Sequence, residues 1–156
     1  MKLLIAVDLS ESTEKIVKKA EEIASRLSAG VWLLHVVHPE PADFYIGGRK
    51  PESDGFEMDP QSYRDSLAKR YHSEHRQLQE IADRFRKTGI DTTALLVEGD
   101  TVETILKEAL KLDVDMIIAG SHGRGAMYQL LVGSSSEGVL QKSAHPVLVI
   151  PTHERT

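Results

Sequence analysis

The stretch Gly120-Ser-His-Gly-Arg-Gly-Ala-Met-Tyr-Gln-Leu-Leu-Val-Gly-Ser-Ser-Ser136 follows directly on the apolar run Met116-Ile-Ile-Ala119. Glycines and hydroxyl side chains placed after a buried strand suit one chemistry above others, the holding of a phosphate chain. Such an anion needs several inward-pointing backbone N–H groups, no β-carbon in the way, and a helix N-terminus behind them. Gly120, Gly123 and Gly125 supply the bare backbone. Gly133 followed by Ser134, Ser135 and Ser136 places small hydroxyl residues at the N-cap and first turn of a helix running to about Ser143. For the serines, capping and phosphate binding use the same geometry. Arg124 carries a guanidinium that stays charged and forks onto oxygens, its alternative being a solvated loop cation. His122, in the same turn, is placed to contact a phosphate or sugar or to point to water, and no partner carboxylate stands near it in sequence to make it a general base.

Better-known motifs fail on these residues. Gly120 and Gly125 have the outer spacing of a Walker A loop, but Ala126 and Met127 stand where its Lys and Ser/Thr belong. The dinucleotide fingerprint fails because Tyr128 occupies the third glycine position. A nucleophile elbow around Ser135 fails at Glu137, which replaces the second glycine. What remains is Gly-x2-Gly-x9-Gly-Ser, through Gly120, Gly123, Gly133 and Ser134. No catalytic residue and no protein metal site is assigned. His72 and His75 stand three apart on a long helical stretch, but Glu74 and Arg76 around them read as a solvated polar face and no third ligand is fixed by spacing. His145 before Pro146 reads as a strand-entry residue.

Elements that position this segment are read from periodicity. Leu3 to Val7, Val31 to Val37, a core of Ala94 to Val97, Met116 to Ala119 and Val147 to Ile150 read as strands. Helical patterns fill Ser10 to Leu27, with Ile16, Val17, Ala20, Ile23, Ala24 and Leu27 on one face, then about Gln61 to Lys87 and about Thr101 to Leu112. Leu67, Tyr71, Leu78, Ile81 and Phe85 are the expected core contacts of the long helix, and Ala29-Gly30 is the expected stop of the first. Five strands alternating with four helices predict an α/β fold, an open parallel sheet covered on both faces. Ligands on such sheets sit beyond the carboxyl ends of the strands where crossovers change face, and Asp8 and Gly120 both stand at strand ends. Asp8 is thereby placed either to cap the following helix or to meet a ligand.

The chain has 156 residues, 40% hydrophobic and 28% charged, and is expected to form a single domain over 1–156 with a flexible loop at about 39–60. A net charge of −5 with dispersed basic residues argues against nucleic-acid binding. The absence of cysteine removes disulfides and thiolate chemistry. The apolar run after Met1 is too short to span a membrane and is interrupted by Asp8, so a cytoplasmic protein, not an integral membrane one, is expected.

The Gly-x2-Gly-x9-Gly-Ser pattern resembles the ATP-binding motif of the universal stress protein family. Leu4-Ile-Ala-Val-Asp-Leu-Ser10 is similar to that family's first strand and terminal Asp, and Leu33-Leu-His-Val-Val37 to its second strand. Val97-Glu-Gly99, Asp115 to Gly125 and His145-Pro-Val-Leu-Val-Ile150 resemble its later strand ends, so the likeness covers essentially the whole chain. The resemblance implies the strand order 3-2-1-4-5 in a Rossmann-like, adenine nucleotide alpha hydrolase-like sheet. It implies an adenine-nucleotide site at Ala6, Val7, Asp8, Val36, Ala119, Gly120, His122, Gly123, Arg124, Gly133, Ser134, Ser135 and Ser136, with ATP as ligand and Mg2+ arriving on its phosphates. It further implies a homodimer through the edge strand Val147, Leu148, Val149 and Ile150, and a nucleotide-dependent regulatory role in stress response exerted on an unknown protein partner. The alternatives are a slow ATPase or phosphotransferase at the same site, and a nucleotide-independent dimeric scaffold like the members without the glycines.

Overall fold

A computed structural model of the chain describes residues 1–37, 60–121 and 142–152. The strands are β1 (Lys2–Ala6), β2 (Gly30–Val37), β3 (Thr92–Glu98), β4 (Met116–Gly120) and β5 (Val147–Ile150). The helices are α1 (Thr13–Leu27), α2 (Pro60–Lys87) and α3 (Thr101–Leu112). All neighbouring strands pair in parallel, in the order β3-β2-β1-β4-β5, as expected. The expected loop at 39–60 lies outside the described residues apart from Pro60, which opens α2. The expected fourth helix lies outside them as well, except for its last residues.

Side-chain alternation divides the sheet into two apolar faces. Leu3, Ile5 and Val7 of the first strand and its extension join Val31 and Leu33 of β2, and are covered by Ile16, Val17, Ala20 and Ala24 of α1 and Leu78, Ala82 and Phe85 of α2. Leu4, Ala6, Leu34, Ile117 and Ala119 point the other way and are covered by Ile105 and Ala109 of α3. β1 is buried on both faces, which explains its unbroken apolar sequence. With α1 and α2 on one face and α3 on the other, the crossovers change face between β1 and β4, which are parallel neighbours. On open sheets of this kind the crevice beyond the carboxyl ends at such a change of face, here beside β1 and β4, is where ligands bind.

Each of the three described helices is followed within two residues by a left-handed residue. Ser28 (φ 48°) closes α1, Asp113 (φ 51°) closes α3, and Gly89 (φ 84°) follows α2. The chain after each turns back onto the last helical carbonyls, with Ala29 N–H donating to Ala24 O at 3.0 Å, Ile90 N–H to Phe85 O at 3.1 Å and Val114 N–H to Ala109 O at 3.2 Å. The stop of α1 is therefore Ser28 rather than Ala29-Gly30, and Gly30 is the first residue of β2. Leu27, expected on the core face of α1, is 43% exposed and is the last residue of the helix.

Candidate nucleotide site at the carboxyl end of the sheet

Strand register brings the expected site residues into rows. Ile5 pairs with Ile118, and Ala6 with Leu34. Continuing that register by two residues sets Val7 level with Gly120 and His35, and Asp8 level with Ser121 and Val36. Gly120 in turn pairs with Ile150, and Val36 with Val97. Ala6, Val7, Asp8, Val36, Ala119 and Gly120 thus form one contiguous strip across β2, β1 and β4, at the end where the crevice opens. Ala6 and Ala119 belong to the α3-side core, and Val36 packs against that same core. Val36 is therefore sheet core as well as a strand-end residue. His122, Gly123, Arg124, Gly133, Ser134, Ser135 and Ser136 lie outside the described residues.

Asp8 organises the turn from β1 into α1. Its Oδ1 accepts from the backbone N–H of Ser10 at 3.0 Å, from Ser10 Oγ at 2.6 Å and from Thr13 Oγ1 at 3.3 Å. Ser10 Oγ also meets Ser12 Oγ at 2.8 Å. These bonds hold residues 9–12 as a turn with Leu9 at φ 58°, so α1 begins at Thr13 and not at Ser10. The carboxylate is half-buried, at a strand end, and collected among hydroxyls and a helix N-terminus. The expected capping role is not the one observed: the N-cap position of α1 is Ser12, with no side-chain capping bond, and Asp8 instead holds the turn before it.

Gly120 is required by packing. A β-carbon there would stand 2.6 Å from Ile16 Cδ1 and 3.0 Å from Thr152 Cγ2. Beyond it, Ser121 N–H donates to Ile150 O at 2.8 Å, and Ser121 Oγ accepts from Thr152 N–H at 3.0 Å. Lys15 Nζ, reaching from α1, donates to Thr152 O at 3.1 Å. The start of the glycine-rich segment is in this way tied to the end of β5 and to the first turn of α1.

Sequence reading missed one participant in these rows. His35 is 8% exposed and its Nδ1 lies 2.9 Å from Val7 O. Glu74, read from sequence as part of a solvated face, turns inward, its Oε2 3.5 Å from His35 Nε2, while His72 and His75 are exposed as expected. The signal was available in the alternation of β2, since His35 shares the side of Val31 and Leu33 and must face α2. Among the described residues no group of three or more His, Cys, Asp or Glu could hold a metal ion, and no helix is long and apolar enough to cross a membrane.

Comparison with known proteins agrees with this geometry. The chain is 29% identical to the universal stress protein MJ0577 of Methanocaldococcus jannaschii over 157 residues, covering 96% of this chain and 93% of that protein. It is 26% identical to the stress response protein NhaX of Bacillus subtilis, covering 96% of each. The solved structure of MJ0577 superposes with a TM-score of 0.72 over 99% of this chain and 97% of that one, at 26% identity. Two further structures share the fold at 19% identity. One is a universal stress protein in complex with cAMP, at a TM-score of 0.61 over 98% of each chain; the other is the Archaeoglobus fulgidus protein in complex with dAMP, at 0.57 over 96% of this chain and 97% of that one. The sequence profile of the universal stress protein family matches residues 1–151, and the chain belongs to that family.

Proposed function

We propose that this protein is an ATP-binding universal stress protein, a regulatory module whose nucleotide occupancy alters its interaction with a protein partner in stress response. The observation that carries the reading is the placement of Asp8 and Gly120 at the carboxyl ends of the adjacent strands β1 and β4, where the crossovers change face. Relatives of the same fold hold adenine nucleotides, cAMP in one case and dAMP in another. A buried apolar strip ending in a half-buried carboxylate suits an adenosine, whose base is apolar on its faces and whose ribose carries hydroxyls.

In this reading Ala6, Val7, Val36 and Ala119 border the base, and Asp8 meets the ribose or the metal-bound phosphates. The segment Gly120, His122, Gly123, Arg124, Gly133, Ser134, Ser135 and Ser136 cradles the phosphates. Mg2+ comes with the triphosphate, bound mainly by phosphate oxygens and water. The single domain, a cytoplasmic location and a homodimer joined through Val147–Ile150 complete the proposal. The dimer is supported by the position of β5, an apolar edge strand with Val147, Leu148 and Val149 only half-buried. Light scattering is expected to give twice the chain mass; a monomer at every concentration would remove the dimer.

Titration calorimetry with Mg-ATP tests the site. Asp8→Asn keeps an oxygen for Ser10 and Thr13 but loses the charge, whereas Asp8→Ala loses both. Weaker ATP binding in Asp8→Asn, with the melting temperature held, is the expected result. Unchanged affinity in both variants would take Asp8 out of the site. Regulation is favoured over hydrolysis because the motif lacks the Walker lysine and an assigned base. ADP accumulating at a rate abolished by Gly123→Val would favour the enzyme.

A further inference from the structure

Nothing in nucleotide recognition accounts for the buried polar chain beneath the site. His35 Nδ1 faces Val7 O at 2.9 Å, and a carbonyl oxygen can only accept, so Nδ1 carries the hydrogen. The remaining ring nitrogen, Nε2, faces Glu74 Oε2 at 3.5 Å. That oxygen is buried and has no hydrogen-bond partner among the described residues, while Oε1 of the same carboxylate accepts from Arg70 Nε at 3.1 Å. Glu74 Oε2 thus lies across the ring from the Val7 contact, and the histidine is held between α2 and the end of β1.

We propose that His35 is a positioning residue for the nucleotide site, holding the Val7 carbonyl through Nδ1–H and packed at its other edge against Glu74 of α2. Val7 donates its N–H to Leu34 O at 2.9 Å, so both polar groups of its backbone are fixed by β2. The next residue is Asp8, whose carboxylate organises the turn into α1. A change at His35 is therefore passed through one peptide unit to the carboxylate at the crevice. Glu74, with Arg70 at its other oxygen, carries the same constraint out to α2. This role rests on the reading of the crevice as a nucleotide site.

The test is Mg-ATP titration of the full chain as wild type, His35→Leu, His35→Asn and Glu74→Gln, with folding checked by circular dichroism and melting. His35→Leu removes the donor to Val7 and is expected to weaken ATP binding about tenfold, the scale of one hydrogen bond. His35→Asn offers an amide N–H where Nδ1–H stood and is expected to recover most of the loss. Glu74→Gln can donate to a neutral ring and is expected to bind ATP close to wild type. Equal affinity in His35→Leu and wild type, or a His35→Asn as weak as His35→Leu, would overturn the role. Should His35→Leu fail to fold, the nitrogen-15 shifts of the wild-type ring decide. A hydrogen retained on Nδ1 and a response of the ring to ATP support the role, and the opposite tautomer overturns it. A wild-type chain that does not bind ATP overturns the nucleotide reading and this role together, whereas binding that ignores His35 overturns this role alone.

Discussion

Gly120 lies so close beneath Ile16 that a β-carbon on it would stand 2.6 Å from Ile16 Cδ1. The constraint is one of space, since Gly120 is not among the left-handed glycines of the described chain. It joins the first residue of the glycine-rich segment to the first turns of α1, the helix that Asp8 launches. Gly120→Ala is expected to destabilise the fold by about 1–3 kcal/mol, the usual cost of overpacking a filled site. Ile16→Val removes Cδ1 and is expected to recover part of that loss in the double variant, so the pair should be non-additive in chemical denaturation. A Gly120→Ala protein as stable as wild type would contradict the packing.

Among the described residues Phe85 is the largest fully buried side chain, and it lies where α2 meets the sheet. Phe85→Ala is expected to cost about 3–5 kcal/mol in urea denaturation, from lost transfer energy and the cavity left behind. A loss below about 1 kcal/mol would mean that α2 does not pack as described.

Asp100 caps α3, its Oδ1 accepting from the Glu103 N–H at 3.0 Å. Asp100→Ala is expected to lower stability by about 1 kcal/mol and Asp100→Asn by much less, because asparagine caps about as well. Equal losses in the two would show that charge, not capping, matters there.

Arg84 clasps Glu14 with two bonds, 2.7 and 2.9 Å, joining α2 to α1 on the surface. The hydrogen bond from Arg84 holds the Glu14 carboxyl below its ordinary range, against a smaller opposing effect of burial, and raises the guanidinium in return. A carboxyl depressed in the folded state contributes stability that is full above its unfolded titration and is lost as pH falls through the folded one. Both side chains are substantially exposed, at 44% and 65%, so solvent screening limits the pair. Glu14→Gln is expected to cost about 0.5 kcal/mol near neutral pH, less in high salt. The gap from wild type should close as pH drops below the ordinary carboxylate range; a gap that widens there would contradict the sign.

The sheet was legible in the sequence because the periodicities are strong. β1 reads as unbroken apolar residues since both its faces are covered, and the helical pattern expected over about Thr101 to Leu112 matches α3. Boundaries failed where a side chain competed with the backbone. Asp8 takes the Ser10 N–H and delays α1 to Thr13, and Ser28 adopts a conformation that composition assigns to glycine. The strip Ala6, Val7, Asp8, Val36, Ala119 and Gly120 was reached through the strand order, which came from the family resemblance and not from periodicity. The His35–Glu74 pair was not reached, because its members are 39 positions apart and a helix face rich in His, Glu and Arg reads as solvated until the packing angle is known.

The most direct measurement is the mass and absorbance of whatever the protein releases on denaturation after purification without added nucleotide. Adenine nucleotide near one per chain, ATP foremost, is the predicted result, with a rise in melting temperature in millimolar Mg-ATP for any chain stripped of it. A protein that releases none and melts at the same temperature with and without ATP would leave the fold standing and contradict the proposed function.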